Sequence, residues 1–204
     1  MSEPIFKTAH RALTFAYNHT NSTLDRPLMS RMADKYKRTG KGLAGLDGAT
    51  QAGMIQVLMA DLSPLAQAII IARYAPREFP CACGASCCSG HKPNHHWQAM
   101  IRYISDQAVG AALSGHLTAR VVRDGLVARY FGEKVHLQTL AKRGNVHPNT
   151  MTQHNAMVVN WLRGTIYTRK GKQREAGELG QEQIAQAAAE DILIRRGVVG
   201  DTDA

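Results

Sequence analysis

The chain has 204 residues, enough to bury a sizeable core in one large domain or two small ones. With 25 basic against 16 acidic residues its net charge is +9, a balance that attracts polyanions or acidic surfaces. No apolar run approaches the roughly 20 residues that cross a bilayer, and no secretion signal opens the chain, so a cytoplasmic protein without membrane contact is expected.

In chain order, a helix is expected from Phe6 to about Tyr17. A turn-rich piece from Asn18 to Pro27 and a basic segment around Lys35 to Lys41 follow. The glycine-rich stretch Leu43 to Gly53 places the start of the next helix at Met54, running through Ile55, Leu58, Met59 and Leu62. Ser63-Pro64 then restarts the chain, because Ser caps a helix and Pro suits its first position. Leu65, Ala68, Ile69 and Ala72 form the stripe of the helix so begun. Met54 to Ala75 is the most apolar segment, but Gln56, Asp61, Gln67 and Arg73 interrupt it, so it belongs to a core rather than a bilayer.

Residues 76–96 are rich in Pro, Gly, Cys and His and read as a loop. Beyond it, Trp97, Ile101 and Ile104 mark a helix, and Leu117, Val121 and Leu126 to Tyr130 suggest one or two more. Gln181 to Arg196 reads as a terminal helix with Ile184, Ala188, Ile192 and Leu193 on one side, tethered by the polar segment Gly171 to Gly180. The class expected is all-α. The organisation expected is a helical body over residues 1–130, a helix-turn-helix with basic extension over 131–174, and a linker with terminal helix over 175–204.

Charge placement says more than the total. From Lys134 to Arg174 there is no Asp or Glu, while Lys134, Lys142, Arg143, Arg163, Arg169, Lys170, Lys172 and Arg174 fall there. A solvated surface would ordinarily mix in carboxylates, so this segment points to phosphate. Within it, residues 135–163 fit a helix-turn-helix. Leu137, Leu140 and Ala141 form a stripe at i, i+3 and i+4, with Ala141 small enough for a close helix crossing. Gly144-Asn145 offers the two residues that most readily take left-handed φ, and Val146 plugs the turn.

Pro148 after His147 opens the second helix. On its wheel Met151, Val158 and Leu162 lie within about 20° of one line, with His154 and Trp161 at the edge. The opposite side carries Asn149, Gln153, Asn160 and Arg163, flanked by Thr150 and Thr152, groups that hydrogen-bond base edges or phosphates of double-stranded DNA. His147, Lys142, Arg143, Arg163, Arg169 and Lys170 complete the expected DNA contacts, the basic ones positioning rather than specifying.

All four cysteines lie in one short stretch, Cys81, Cys83, Cys87 and Cys88, with His91, His95 and His96 close behind. Clustered thiols without a secretion signal suggest a metal more than disulfides, and Zn²⁺ takes four Cys or His ligands in a closed tetrahedron. The expected ligands are the four cysteines, with the three histidines as alternatives. Reduced thiols without metal are the competing reading. A hydrolytic or deaminase zinc would need a nearby general base, and no carboxylate occurs between Glu78 and Asp106. Walker, dinucleotide, nucleophile-elbow and His-Glu-x-x-His motifs are also missing, so no enzyme is expected. A nuclease or integrase is disfavoured because the basic segment offers no carboxylate for catalytic Mg²⁺.

Two segments resemble the Q antitermination proteins of lambdoid phages. The first is the Gly/Leu/Thr stretch from Gly42 through Leu46, Gly48 and Thr50 to Gln56, Val57 and Leu58. The second is the mid-chain Cys-rich insertion followed by a helical, basic half. Leu140 to Leu162 is similar to the fourth conserved region of bacterial sigma factors. The resemblance implies a phage late-gene regulator in the host cytoplasm that binds promoter DNA, engages bacterial RNA polymerase with its sigma factor, and lets terminators be read through. The cysteines here are compact, whereas the lambda-type motif has two separated Cys-x-x-Cys pairs, so only DNA contact by the second helix is carried over. A plain helix-turn-helix repressor or activator is the alternative.

Overall fold

The computed structural model describes residues 5–19, 46–81, 83, 86, 88–116, 118–165 and 177–200. These are mostly helical, as the apolar spacing suggests, and they fall into two compact units that divide the chain at 61/62 and 188/189. Among the described residues no helix is long and apolar enough to cross a membrane.

The first unit takes in residues up to 61 and those from 189 onward. Helix α1 (Ala9–Asn18) is capped by Thr8, whose hydroxyl accepts from the Arg11 N–H at 3.3 Å. Its buried side, Ala12, Leu13 and Ala16, packs on α2 (Leu46–Leu58), which buries Ala52 and Ile55 and ends in a 3₁₀ turn at Met59–Asp61. Helix α2 therefore starts a good two turns before the Met54 that the sequence suggested. Gly48 and Gly53 count against a helix by intrinsic propensity, at about 1 kcal/mol each, yet Gly48 is buried in it and tertiary packing overrides that cost. Phe6 bridges in parallel to Val199, closing the unit with the chain's other end. The basic segment Lys35 to Lys41 and the turn-rich piece from residue 20 onward lie outside the described residues.

The second unit, residues 62–188, begins with α3 (Pro64–Tyr74). Ser63 caps it as expected, its Oγ accepting from Ala66 N–H at 3.3 Å. Ala68, Ile69, Ile70 and Ala72 are all at most 2% exposed, so this helix is buried on nearly every side. The segment read as a loop holds a short antiparallel ladder, β1 (Glu78–Pro80) with β2 (His91–Pro93), in register Glu78 to Pro93 and Pro80 to His91. Asn94 closes it. Its N–H donates to Arg77 O at 2.8 Å and its Nδ2 to Pro76 O at 2.7 Å, while its Oδ1 caps the next helix by accepting from His96 and Trp97 N–H.

That helix is α4 (His95–Gly110), packed on α3 through Trp97, whose indole N–H donates to Ala72 O at 3.0 Å. Helix α5 (Arg120–Tyr130) packs on α4 and receives α6 (Leu137–Gly144) and α7 (Pro148–Arg163). Helix α8 (Gln181–Arg195) begins in this unit and ends in the first. Its buried line is Glu182, Ala185, Ala189 and Leu193, so the expected stripe is corrected by rotation: Ile184 is 46% exposed.

Candidate functional site

Between α6 and α7 the chain reverses at Asn145, which has φ 50° and is the single non-glycine residue with positive φ among those described. Asn tolerates this region better than other side chains because its short polar group bonds locally. Val146 then donates its N–H to Ala141 O at 2.9 Å, closing the helix end. Gly144 is not part of the left-handed turn. It is the last residue of α6, and a Cβ there would run into Val122 Cγ2 on α5. The glycine serves a close approach rather than a bend. Gly125 on α5 does the same for Leu140, whose side chain lies where a Cβ would stand.

Helix α7 opens at Pro148 behind His147, whose Nδ1 accepts from Asn149 N–H at 3.3 Å. His147 is thus a cap, with its ring still exposed. Met151, Val158 and Leu162 are at most 1% exposed and dock on α5 and α6. On the other side Asn149, Thr152, Gln153, Asn160 and Arg163 are exposed and Thr150 is half-buried. The Thr152 hydroxyl donates to Pro148 O at 3.0 Å, so part of its hydrogen-bonding capacity is used within the helix. Lys142 and Arg143 are exposed at the end of α6, while Arg169 and Lys170 lie outside the described residues. Among the described residues, Gly164 bridges to Leu179 and Thr165 N–H donates to Glu178 O at 3.1 Å.

His154 is the anomaly in the buried stripe. It is 3% exposed, its Nδ1 has no hydrogen-bond partner among the described residues, and its ring meets the exposed His116 edge-on at 5.1 Å between centroids. Burial first, and the neighbouring His116 second, push its pKa below the ordinary histidine value.

The hairpin carries the cysteines. Cys81 follows β1, with its N–H donating to Gly90 O at 2.8 Å, and Cys88 lies shortly before β2, so the ladder folds the intervening chain back on itself. The sulfurs of Cys81, Cys83 and Cys88 all lie within 4.8 Å of one another. Tetrahedral zinc with Zn–S bonds of about 2.3 Å places its sulfurs roughly 3.8 Å apart, so the three thiols need only a small contraction to share one ion. Cys87 lies outside the described residues. His91, His95 and His96 are exposed and not in this group, and the His91 ring sits 3.4 Å from Ser89 O.

A part-buried polar cluster around the buried Glu182 has no signal in the sequence. Glu182, at the start of α8, accepts from Arg73 Nε and, at 2.7 Å, Nη2, from the Tyr130 hydroxyl and from Gln186. The Arg73 guanidinium also stacks near the Tyr130 and Phe131 rings. Burial, with the Glu182 carboxylate beside it, pushes the Tyr130 phenol well above its ordinary range. The cluster joins α3, α5 and α8.

Comparison with known protein families, with curated proteins and with solved structures yields no match.

Proposed function

We propose that α6 and α7 form a helix-turn-helix that binds double-stranded DNA, and that the chain is a phage-type transcription antitermination factor acting with bacterial RNA polymerase and its sigma factor. The observation that carries the DNA reading is the division of α7. Asn149, Gln153, Asn160 and Arg163 are exposed on one side, Met151, Val158 and Leu162 are buried on the other, and no carboxylate occurs from Lys134 to Arg174. Neutral amides and hydroxyls free to meet base edges, on a helix whose surroundings attract phosphate, are the composition that groove recognition requires. The antitermination part rests on the resemblance to Q proteins. The thiols of Cys81, Cys83 and Cys88 are proposed to hold a structural Zn²⁺, with Cys87 or a nearby histidine as fourth ligand. The bound ion would supply cross-linking to a hairpin that lacks an apolar core.

The deciding assay is multi-round transcription through a strong terminator placed behind the cognate late promoter, with and without the purified chain. Read-through that requires the promoter DNA supports antitermination. Altered promoter occupancy with unchanged termination makes the chain a plain repressor or activator. For the contact face itself, Gln153→Ala is expected to weaken specific binding by about 1–3 kcal/mol with little change on random DNA. Lys142→Ala should weaken both alike and flatten the salt dependence. Equal losses on both DNAs for Gln153→Ala would remove base readout.

A further inference from the structure

The second unit contains a groove of about 800 Å³, walled by the β1–β2 hairpin, α4, α5 and the stretch from Glu133 into α6. No residue of α7 lines it, so it is separate from the α7 face assigned to DNA, and Arg143 of α6 is the residue the two share. Its floor is apolar: Trp97 and Ile101 are each 4% exposed and Leu140 2%, all with their outer surfaces toward the groove. Val121 on its rim is 55% exposed, and among the large exposed hydrophobics described it is the one that lines this groove.

The charged rim is uneven in what it leaves unsatisfied. Arg77 already donates to Gly132 O, and Asp124 accepts from the Ser105 hydroxyl. Arg102, Lys134 and Arg143 come from three different stretches of chain, and none has a side-chain hydrogen bond or ion pair among the described residues. Glu78 and Glu133 stand among them. Three unpaired cations around an apolar floor favour an anionic partner with apolar side chains. The three rim carboxylates, Glu78, Asp124 and Glu133, and the concave shape disfavour a continuous phosphate backbone, which is bound by unbroken basic surface.

We propose that this groove is a docking site for an acidic amphipathic segment of a partner protein, its apolar side chains on Trp97, Ile101 and Val121 and its carboxylates on Arg102, Lys134 and Arg143. Arginine takes a carboxylate through two parallel hydrogen bonds, which gives such a contact direction as well as strength. The hairpin forms one wall through Glu78, His91 and Pro93, so the cysteine clip shapes this site as well as its own loop. The proposal does not rest on the DNA reading, since it takes a protein ligand and, Arg143 apart, uses other residues.

The test uses the full chain and three dye-labelled helical peptides with one Leu/Ala pattern, their polar positions being all Glu, all Gln or all Lys. Fluorescence anisotropy should show the Glu peptide binding about tenfold or more tighter than the Gln peptide, with the Lys peptide weakest. Arg102→Glu and Val121→Asp should each cut Glu-peptide affinity by about tenfold or more, while Arg196→Glu, the same charge change in the first unit, leaves it within about twofold. Equal binding of the three peptides overturns the proposal, as does an equal loss for Arg196→Glu. If a random DNA duplex instead loses about tenfold with Arg102→Glu and not with Arg196→Glu, the groove is a phosphate track and the protein-docking proposal is wrong.

Discussion

Two of the second unit's reversals of direction, the α6–α7 corner and the β1–β2 hairpin, are held by different physics. At the α6–α7 corner, Leu140, Ala141, Met151, Val158 and Leu162 are buried beneath a turn that one left-handed Asn completes. In the β1–β2 hairpin, no described residue from 75 to 93 is buried, and the ladder is three residues long. A two-stranded hairpin of this kind is at best marginal in water. The corner is stabilised by apolar contact and needs no ligand. The hairpin's described order comes from Asn94 and the backbone ladder, with the sulfurs of Cys81, Cys83 and Cys88 brought within 4.8 Å of one another.

The sharpest way to break the corner is Leu140→Ala. It removes a side chain 2% exposed that fills the space over Gly125, and unfolding by urea should show a loss of about 2–5 kcal/mol. A loss under about 1 kcal/mol would mean that α6 does not depend on this contact. Gly144→Ala comes next. In an ordinary helix the exchange would stabilise, but here the added methyl meets Val122, a stiff β-branched side chain that is fully buried. A destabilisation of about 1–3 kcal/mol is expected, and a gain would show that α5 and α6 stand further apart than described.

These glycines show where the sequence stopped being legible. The spacing of Leu140, Ala141, Met151, Val158 and Leu162, with Gly144-Asn145 between, made the helix pair readable, because helical period and turn chemistry are local. The reason for Gly144 lies in Val122, on another helix, and no local pattern records it. Glu182 is hidden in the same way, since its partners Arg73 and Tyr130 are far along the chain. In α8 the eye is drawn to Ile184, yet the buried line runs through small Ala185 and Ala189 to Leu193. The strands Glu78–Pro80 and His91–Pro93 each contain a proline and are too short to display alternation. The cysteine cluster was legible by proximity in sequence, and Cys81, Cys83 and Cys88 do come together, but which histidine, if any, joins them depends on side-chain direction.

For the hairpin, Cys81→Ser should abolish stoichiometric zinc binding and lower hydrogen-exchange protection at the 78–93 amides. Protection at Leu140 and Met151 should stay within about 0.5 kcal/mol of its original value, because the corner has its own core. Undiminished metal content in this variant would remove Cys81 from the ligand set. Loss of protection at both places would show that the two reversals share one support.

The smallest expected effect tests a flaw inside the better-packed region. His154 occupies a position in the α7 stripe where an apolar side chain would satisfy the packing, and its buried Nδ1 has no partner among the described residues. Burial holds the folded-state pKa below the ordinary value of about 6.5. Above that value both folded and unfolded states carry a neutral ring, and the group adds no pH dependence. As pH falls through about 6.5, the unfolded chain takes up a proton that the folded chain resists, so stability declines toward the lowered folded pKa. Urea titrations at pH 7.5 and pH 5.5 should show the wild-type chain losing more stability on acidification than His154→Leu, which cannot take up that proton. An identical pH dependence in the two would mean that the ring is protonated as readily in the folded chain as in the unfolded one, and that the contact with His116 leaves it open to water.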